Sequence, residues 1–250
     1  MRKIALAALL ALAAVSAQAE PNTAKRIAAF GKLPDWGGEW APYPIEVKPG
    51  GQGGHKGILF LGHPPYNAKW EADFQARVKA RSEGMWKSCM MDFPVVMDSP
   101  QPFELSITPE QTLLSVGDGA QRHIYTDGRK HPAAHDLWPT MFGDSIGHWE
   151  GKTLVVDTIA RRTGPDTFTG RLDFSDQAHF VERIRETQPG ELENQITIDD
   201  PVAFTAPWKL TLVYRRLANL NRSIPYECEK DRIEVVNGKG RITPPDQPVR

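Results

Sequence analysis

The sequence is poor in cysteine: Cys89 and Cys228 are its only two, and they do not form a Cys-x-x-Cys pair. That excludes the usual structural zinc sites, in which clustered cysteines and histidines supply four ligands. In an oxidising compartment two cysteines can pair instead. We therefore predict a Cys89–Cys228 disulfide, and two free buried thiols are the alternative.

Several motifs that would name a cofactor or a reaction are also missing. The chain has no phosphate-binding P-loop, no glycine-rich dinucleotide fingerprint and no Gly-x-Ser-x-Gly elbow. Its formal net charge is −1, and no run of lysine and arginine stands out. A nearly neutral chain without a basic patch does not favour nucleic acid. We expect no cofactor, no metal and no nucleic-acid partner.

Long apolar runs are absent beyond the N-terminus. The run from Ile4 to Val15 follows the basic residues Arg2 and Lys3 and precedes Ala17-Gln-Ala19. It is shorter than the ~20 residues that span a bilayer, but it suits a secretory signal with a small-x-small cleavage site. We predict a signal peptide over 1–19, a periplasmic or secreted protein and no integral membrane association. An uncleaved anchor is the alternative.

The remaining chain is long enough for one large domain. Residues 23–30 fit a short helix, and 66–83 fit a longer one because large apolar residues recur there at three- and four-residue spacing. Residues 41–65 are rich in proline and glycine, which favours an extended loop. We assign 20–101 to an N-terminal extension, with loop and helix, that packs on a barrel.

From residue 102 onward the apolar period becomes two, with turn signals at short intervals and no alternating helices. We predict a mainly β fold: an antiparallel, lipocalin-like barrel of about eight strands over 102–233, with an N-terminal helix, long loops and an irregular tail over 234–250. A closed barrel of about eight strands can hold one small ligand. The predicted strands are 103–107, 112–116, 122–126, 153–159, 177–186, 191–199, 208–217 and 224–229.

Four motifs occur together in this order: Tyr125-x-Asp-Gly-Arg-x-His-Pro132, Ser145-Ile-Gly-x-Trp-Glu-Gly-x-Thr-Leu-Val-Val-Asp-Thr158, His179-x-Val-Glu-Arg183 and Ile198-Asp-Asp-Pro-x-x-Phe-Thr-x-Pro-Trp208. Over residues 33–230 the chain thereby resembles a group of secreted bacterial proteins of unknown function. The resemblance implies export and a barrel, but no particular reaction. The chain departs from the group after Thr158, where Ile159-Ala-Arg-Arg-Thr163 replaces a Gly-Phe-Asn-Asp-like segment.

The strand predicted over 177–186 offers a candidate proton-transfer residue. Glu182 shares a mostly apolar face with Phe180 and Ile184, so we expect it to point into the barrel. A carboxyl group in an apolar cavity suits general acid or base work near neutral pH. A buried salt bridge to an arginine of a neighbouring strand is the alternative. If the facing is reversed, His179 and Arg183 point inward.

Two further strands add ionisable groups to this hypothetical cavity. Asp157 can point inward with Val155, and Tyr125 can do so with His123. A base that removes a proton beside a phenol that stabilises the resulting oxyanion is typical of cofactor-independent isomerases and lyases. We therefore take Glu182, His179, Tyr125 and Asp157 as the candidate catalytic residues. A polar network that fixes strand register is the alternative.

The segment 125–158 holds several histidines and tryptophans between strand-like runs. His131 and His135 are four residues apart, but Gly128 and Pro132 argue against the helix that would let them chelate a metal together. The candidate ligand-binding residues, from this segment and the strands beyond it, are Arg129, His131, Trp138, His148, Trp149, Arg183 and Trp208.

Two functions fit these observations. The first is a protein that binds an apolar or amphipathic small molecule inside the barrel, supported by the aromatic content and the lack of a strong catalytic motif. The second is a cofactor-independent isomerase, lyase or hydrolase that uses the ionisable residues of the cavity. The sequence does not indicate an oligomeric state.

Overall fold

A computed structural model describes residues 24–43, 62–82, 92–98, 102–117, 119–163, 172–220, 233–236 and 239–242. Within these ranges nine strands form a closed barrel in sequence order, and the first strand pairs with the last. The strands are β1 (Glu39–Pro42), β2 (Phe103–Ile107), β3 (Gln111–Val116), β4 (Gln121–Tyr125), β5 (Asp144–Glu150), β6 (Thr153–Ile159), β7 (His179–Gln188), β8 (Glu191–Asp199) and β9 (Trp208–Arg216).

The mainly β barrel is confirmed, but the prediction of about eight strands omitted β1 and β5. β1 is only four residues long and buried throughout, so it lacks the alternation by which a half-buried strand is recognised. β1 also shows that the barrel begins inside the segment assigned to the extension over 20–101. All neighbouring strands are antiparallel except β4 and β5, which pair in parallel through Ile124–Ser145 and Tyr125–Ile146.

The inner face of the barrel is packed with apolar side chains. β8 shows the pattern: Leu192, Asn194, Ile196 and Ile198 are buried while their chain neighbours are more exposed. Because successive side chains of a strand point to opposite faces, this alternation fixes which residues lie inside. Asn194 is an exception to the apolar rule, and it belongs to a buried polar group described below.

Both predicted helices are confirmed: α1 spans Ala24–Phe30 and α2 spans Ala68–Ser82. α2 begins later than its apolar pattern suggests because Tyr66 makes an isolated bridge with Phe204. The side chain of Asn67 then accepts a hydrogen bond from the main-chain nitrogen of Trp70 (3.3 Å), as an N-capping residue does. None of the described helices is long and apolar enough to cross a membrane.

A short segment, 92–97, contributes the buried side chains of Asp92, Phe93, Val96 and Met97. Phe93 is fully buried; its ring packs edge-on against Phe180, with ring centroids 5.2 Å apart, and lies under the guanidinium group of Arg122. Arg161 holds the segment by an ion pair with Asp92 and by a hydrogen bond from its Nε to the Phe93 carbonyl oxygen (2.7 Å). Burial lowers the pKa of Arg161 to about 10, so the group stays charged at neutral pH.

Three predictions fall on parts of the chain outside the described residues: the signal peptide over 1–19, the Cys89–Cys228 bridge and the strand over 224–229. The prediction of an irregular tail over 234–250 is wrong where the structure describes it. There β10 (Ile233–Val236) pairs with β11 (Lys239–Ile242) in a separate antiparallel hairpin. The Asn237-Gly238 pair between them is a strong hairpin signal in the sequence.

Candidate functional site

Three residues expected inside the barrel lie on its outer face. In β6 the buried residues are Leu154, Val156 and Thr158, so Asp157 points outward. In β4 the buried residues are Arg122 and Ile124. The predicted inward facing of His123, Tyr125 and Asp157 is therefore reversed.

The loop 126–143, which joins the parallel strands β4 and β5, folds back toward the end of β6. The main chain of Thr140 donates to the carbonyl oxygen of Ala160 (3.1 Å) and accepts from the nitrogen of Arg162 (2.6 Å). Gly143 closes the loop with a positive φ of 71°. A Cβ at this position would lie 2.5 Å from the carbonyl oxygen of Ile159, so only glycine fits. This anchoring fixes the start of β5.

Four side chains meet where the loop reaches the sheet. His131 places Nδ1 2.5 Å from Oδ1 of Asp144 and Nε2 3.0 Å from Oδ1 of Asp157. His179, at the start of β7, places its own Nε2 3.0 Å from the same Asp157 oxygen. The exposed fractions of the side chains rise from 17% for His131 to 43% for His179. We call His131, Asp144, Asp157 and His179 the outer-face cluster.

The hydrogen bonds of the cluster couple its protons. A neutral imidazole donates from one nitrogen and accepts at the other, whereas an ionised carboxylate only accepts. His131 can therefore donate to Asp144 and Asp157 together only when both of its ring nitrogens carry hydrogen. A change of protonation at His131 alters the hydrogen bond that it shares with Asp157, and a change at His179 alters the charge that faces the same carboxylate. The arrangement can hold and pass a proton at the protein surface.

An arginine and a phenol lie beside the cluster. Arg129 makes a forked pair with Asp127 (Nε to Oδ1 2.9 Å, Nη2 to Oδ2 2.6 Å) and covers the ring of Tyr125 at 3.9 Å. The hydrogen bond from Arg129 lowers the pKa of Asp127. The same bond, and to a smaller degree the negative charge of Asp144, raises the pKa of Arg129.

Strand register places Tyr125 relative to the cluster. Tyr125 pairs with Ile146, and Ile146 pairs with Asp157, so the three side chains form one row across the outer face. Two strand spacings separate Tyr125 from Asp157, which is about 10 Å. The predicted catalytic residues Tyr125, Asp157 and His179 thus share a surface, although not the interior surface that was expected.

Glu182 does point into the barrel, but it is separated from those residues by the sheet. Arg122 forms an ion pair with it, and Asn194 donates to its second oxygen (2.8 Å). Arg122 also donates to Thr158 (2.9 Å) and to Ser145 (3.3 Å). Every polar side chain in this group is at least 98% buried. The arginine comes from β4, across the barrel from β7, and not from a neighbouring strand.

The predicted ligand-binding residues divide among four places. Arg129 and His131 lie at or beside the outer-face cluster. Trp149 and Trp208 belong to the core and its margin, where Trp149 packs against Trp36 with ring centroids 5.2 Å apart. Trp138 is 82% exposed on the loop. The last two, His148 and Arg183, both contact Glu150 on the outer surface, at 3.2 and 2.7 Å.

In the described structure His131 and His135 do not converge on a metal position. His135 is 81% exposed and pairs only with its neighbour Asp136 (3.3 Å), away from the carboxylates that hold His131. Within the part of the chain that the structure describes, no group of three or more histidine, cysteine, aspartate or glutamate side chains could hold a metal ion.

A comparison with protein-family models found no match, and a search of curated proteins found none at a significant level. The resemblance to secreted bacterial proteins therefore stays a prediction, and the site has to be interpreted from its own geometry.

Proposed function

We propose that this protein is a cofactor-independent enzyme, an isomerase, lyase or hydrolase, that uses the outer-face cluster for acid–base catalysis on a small molecule. The proposal rests mainly on the position of the His131 ring between two carboxylates. Carboxylates face both of its nitrogens, and His179 shares one of those carboxylates. Imidazole is the side chain used most often for proton transfer near neutral pH.

His179 is the member that we expect to contact the substrate. It is the most exposed of the four side chains, and its Nε2 lies 3.0 Å from Oδ1 of Asp157 in an ion-pair contact. A histidine oriented by a carboxylate is a common arrangement for a general base. Asp144 and His131 hold that carboxylate in place from the other side, so they act as positioning residues.

Tyr125 is the candidate for stabilising negative charge on the substrate. Its ring lies in the same outer-face row as Asp157, about 10 Å away across two strand spacings. A small molecule held between the two can reach both groups. Arg129 adds a positive charge at the Tyr125 ring, which favours an anionic intermediate there.

The other predicted function, an apolar ligand inside the barrel, has less support. Phe93 enters the described interior and stacks on Arg122 at 3.9 Å, and Phe180 packs against the same ring. Glu182 is paired with Arg122 in that interior, so its carboxylate is not free for proton transfer. We also propose that the protein acts after export, because residues 1–19 have the pattern of a signal peptide.

The test is a turnover screen with matched histidine variants. Wild-type protein is assayed against activated esters, for hydrolysis, and against ketones and 2-hydroxy acids, for exchange of the α-hydrogen in deuterated water. We expect His179→Asn to lower any observed rate by about 10²-fold or more, as loss of a general base does. His135→Asn, in an exposed position on the neighbouring loop, is the control and should keep the wild-type rate. Equal rates in the two variants, or no turnover in the whole screen, would contradict the proposal.

A further inference from the structure

A groove of about 470 Å³ lies between β2 and the segment that follows α1. Its volume falls within the range of small-molecule sites, about 300–1,000 Å³. Apolar side chains form much of its wall, namely Phe30, Leu33, Pro34, Trp36, Leu105 and Ile107. None of the lining residues belongs to the outer-face cluster.

The polar part of the groove is acidic. Asp35 and Glu104 line it, and Glu39 lies directly opposite Glu104 in the pairing of β1 with β2. Among the described residues no lysine, arginine or histidine forms an ion pair with any of these three carboxylates. Arg216 contacts Asp35, but its Nη2 donates to the main-chain oxygen of Asp35 (2.7 Å) and not to the side-chain carboxylate.

The Glu39 side chain is the least satisfied of the three. The residue is only 4% exposed, and its buried Oε2 has no hydrogen-bond partner in the described chain. Burial raises the pKa of Glu39, and the negative charge of Glu104 raises it further. Two facing carboxylates that lack a counter-ion repel one another, so a positive charge placed beside Glu104 would stabilise both.

The apolar wall continues onto the surface of α1. Phe30 is 37% exposed at the groove, and Ile27, one helical turn earlier, is 53% exposed. Large apolar side chains left in contact with water are favourable places for an apolar group to bind. The groove thus combines an apolar wall with negative charge that no cation of the described residues pairs with. A ligand that matches it carries an apolar chain and a positive charge.

We propose that this groove binds a small amphipathic organic cation, with its apolar part against Phe30, Leu33 and Ile107 and its ammonium group beside Glu104. An anionic ligand would be repelled by Asp35 and Glu104. A neutral one would gain the apolar contact but would leave the facing carboxylates uncompensated. The site is separate from the proposed acid–base function and does not depend on it.

Isothermal titration calorimetry with three probes of equal chain length tests the proposal. The probes are hexyltrimethylammonium, hexanol and hexanesulfonate, which differ in the charge of the head group. We expect the cation to bind most tightly and the sulfonate most weakly. Glu104→Gln keeps the shape of the side chain and should weaken binding of the cation by about fivefold, as loss of one partly exposed charge contact does.

Two further variants make the result decisive. Asp35→Asn should also weaken binding of the cation, whereas Asp176→Asn, which removes the same charge from an exposed turn before β7, should not. Thermal unfolding of each variant checks that the fold is retained. Equal affinity for the three probes, an unchanged affinity in both Glu104→Gln and Asp35→Asn, or no binding of the cation at millimolar concentration would overturn the proposal.

Discussion

Replacing Glu182 by glutamine should destabilise the protein strongly. Glu182 and Arg122 have side-chain exposures of 0% and 1%, and each is the other's only charged partner in the described interior. The glutamine keeps a hydrogen-bonding oxygen but removes the charge, which leaves the guanidinium group buried and uncompensated. Breaking a buried pair in this way costs about 3–5 kcal/mol. For a chain of this size that corresponds to a fall in Tm of roughly 6–20 °C.

The assay is urea-induced unfolding followed by far-ultraviolet circular dichroism, with calorimetry for Tm. Glu150→Gln is the matched control, because it breaks the exposed pair between Glu150 and Arg183 and should change stability little. The double variant Arg122→Met with Glu182→Leu removes both charges and should recover most of the lost stability. If the stability of Glu182→Gln lies within about 1 kcal/mol of the wild type, or if the double variant is no more stable than the single one, the buried pair does not stabilise the fold in this way.

Two predictions concern the surroundings of the outer-face cluster. Gly143→Ala should lower Tm and displace the start of β5, because the new Cβ would meet the Ile159 carbonyl oxygen at 2.5 Å and φ is 71°; an unchanged Tm would contradict this. The hydrogen bond from Arg129 lowers the pKa of Asp127, so its stabilisation is present above the pKa of aspartate in the unfolded chain and is lost as the pH falls through the folded pKa. Asp127→Asn should accordingly lower Tm at pH 7, and the difference from wild type should shrink on acidification; a constant difference would count against the pair.

The barrel strands and α2 could be predicted from the regular spacing of their apolar residues. The strand over 177–186 illustrates this: the apolar residues Phe180 and Ile184 identify the inner face, and Glu182 lies with them in the structure. The nine-strand count could not be obtained in the same way. β1 has no alternation of buried and exposed residues. In β5 an inward position is occupied by Gly147 and not by a large apolar residue, because a larger side chain there would meet Ile124.

The prediction of which side chains point into the barrel was wrong for strands whose two faces are similarly polar. In β4 the choice lay between Arg122 with Ile124 and His123 with Tyr125, and each pair has one polar and one apolar or aromatic member. The structure buries the arginine because a carboxylate from β7 neutralises it. That partner lies 60 residues away in the chain, so no local pattern reveals the pair.

The outer-face cluster was only partly visible in the sequence. His131, Asp157 and His179 were candidates, but Asp144 had no assigned role, and nothing local brings His131 to Asp157. Their contact depends on the parallel pairing of β4 with β5 and on the anchoring of the intervening loop at Ala160. Such non-local pairings follow from the closed barrel as a whole.

The most direct test of the proposed site compares the turnover of Asp157→Asn with that of the interior double variant Arg122→Met with Glu182→Leu. The substrate is whichever one the screen identifies. If catalysis occurs at the outer-face cluster, the turnover rate of Asp157→Asn is lower than that of the wild type by about 10²-fold or more. The folded interior variant then keeps the wild-type rate. If Asp157→Asn keeps the wild-type rate and the interior variant loses it, catalysis takes place inside the barrel and the outer-face cluster is not the active site.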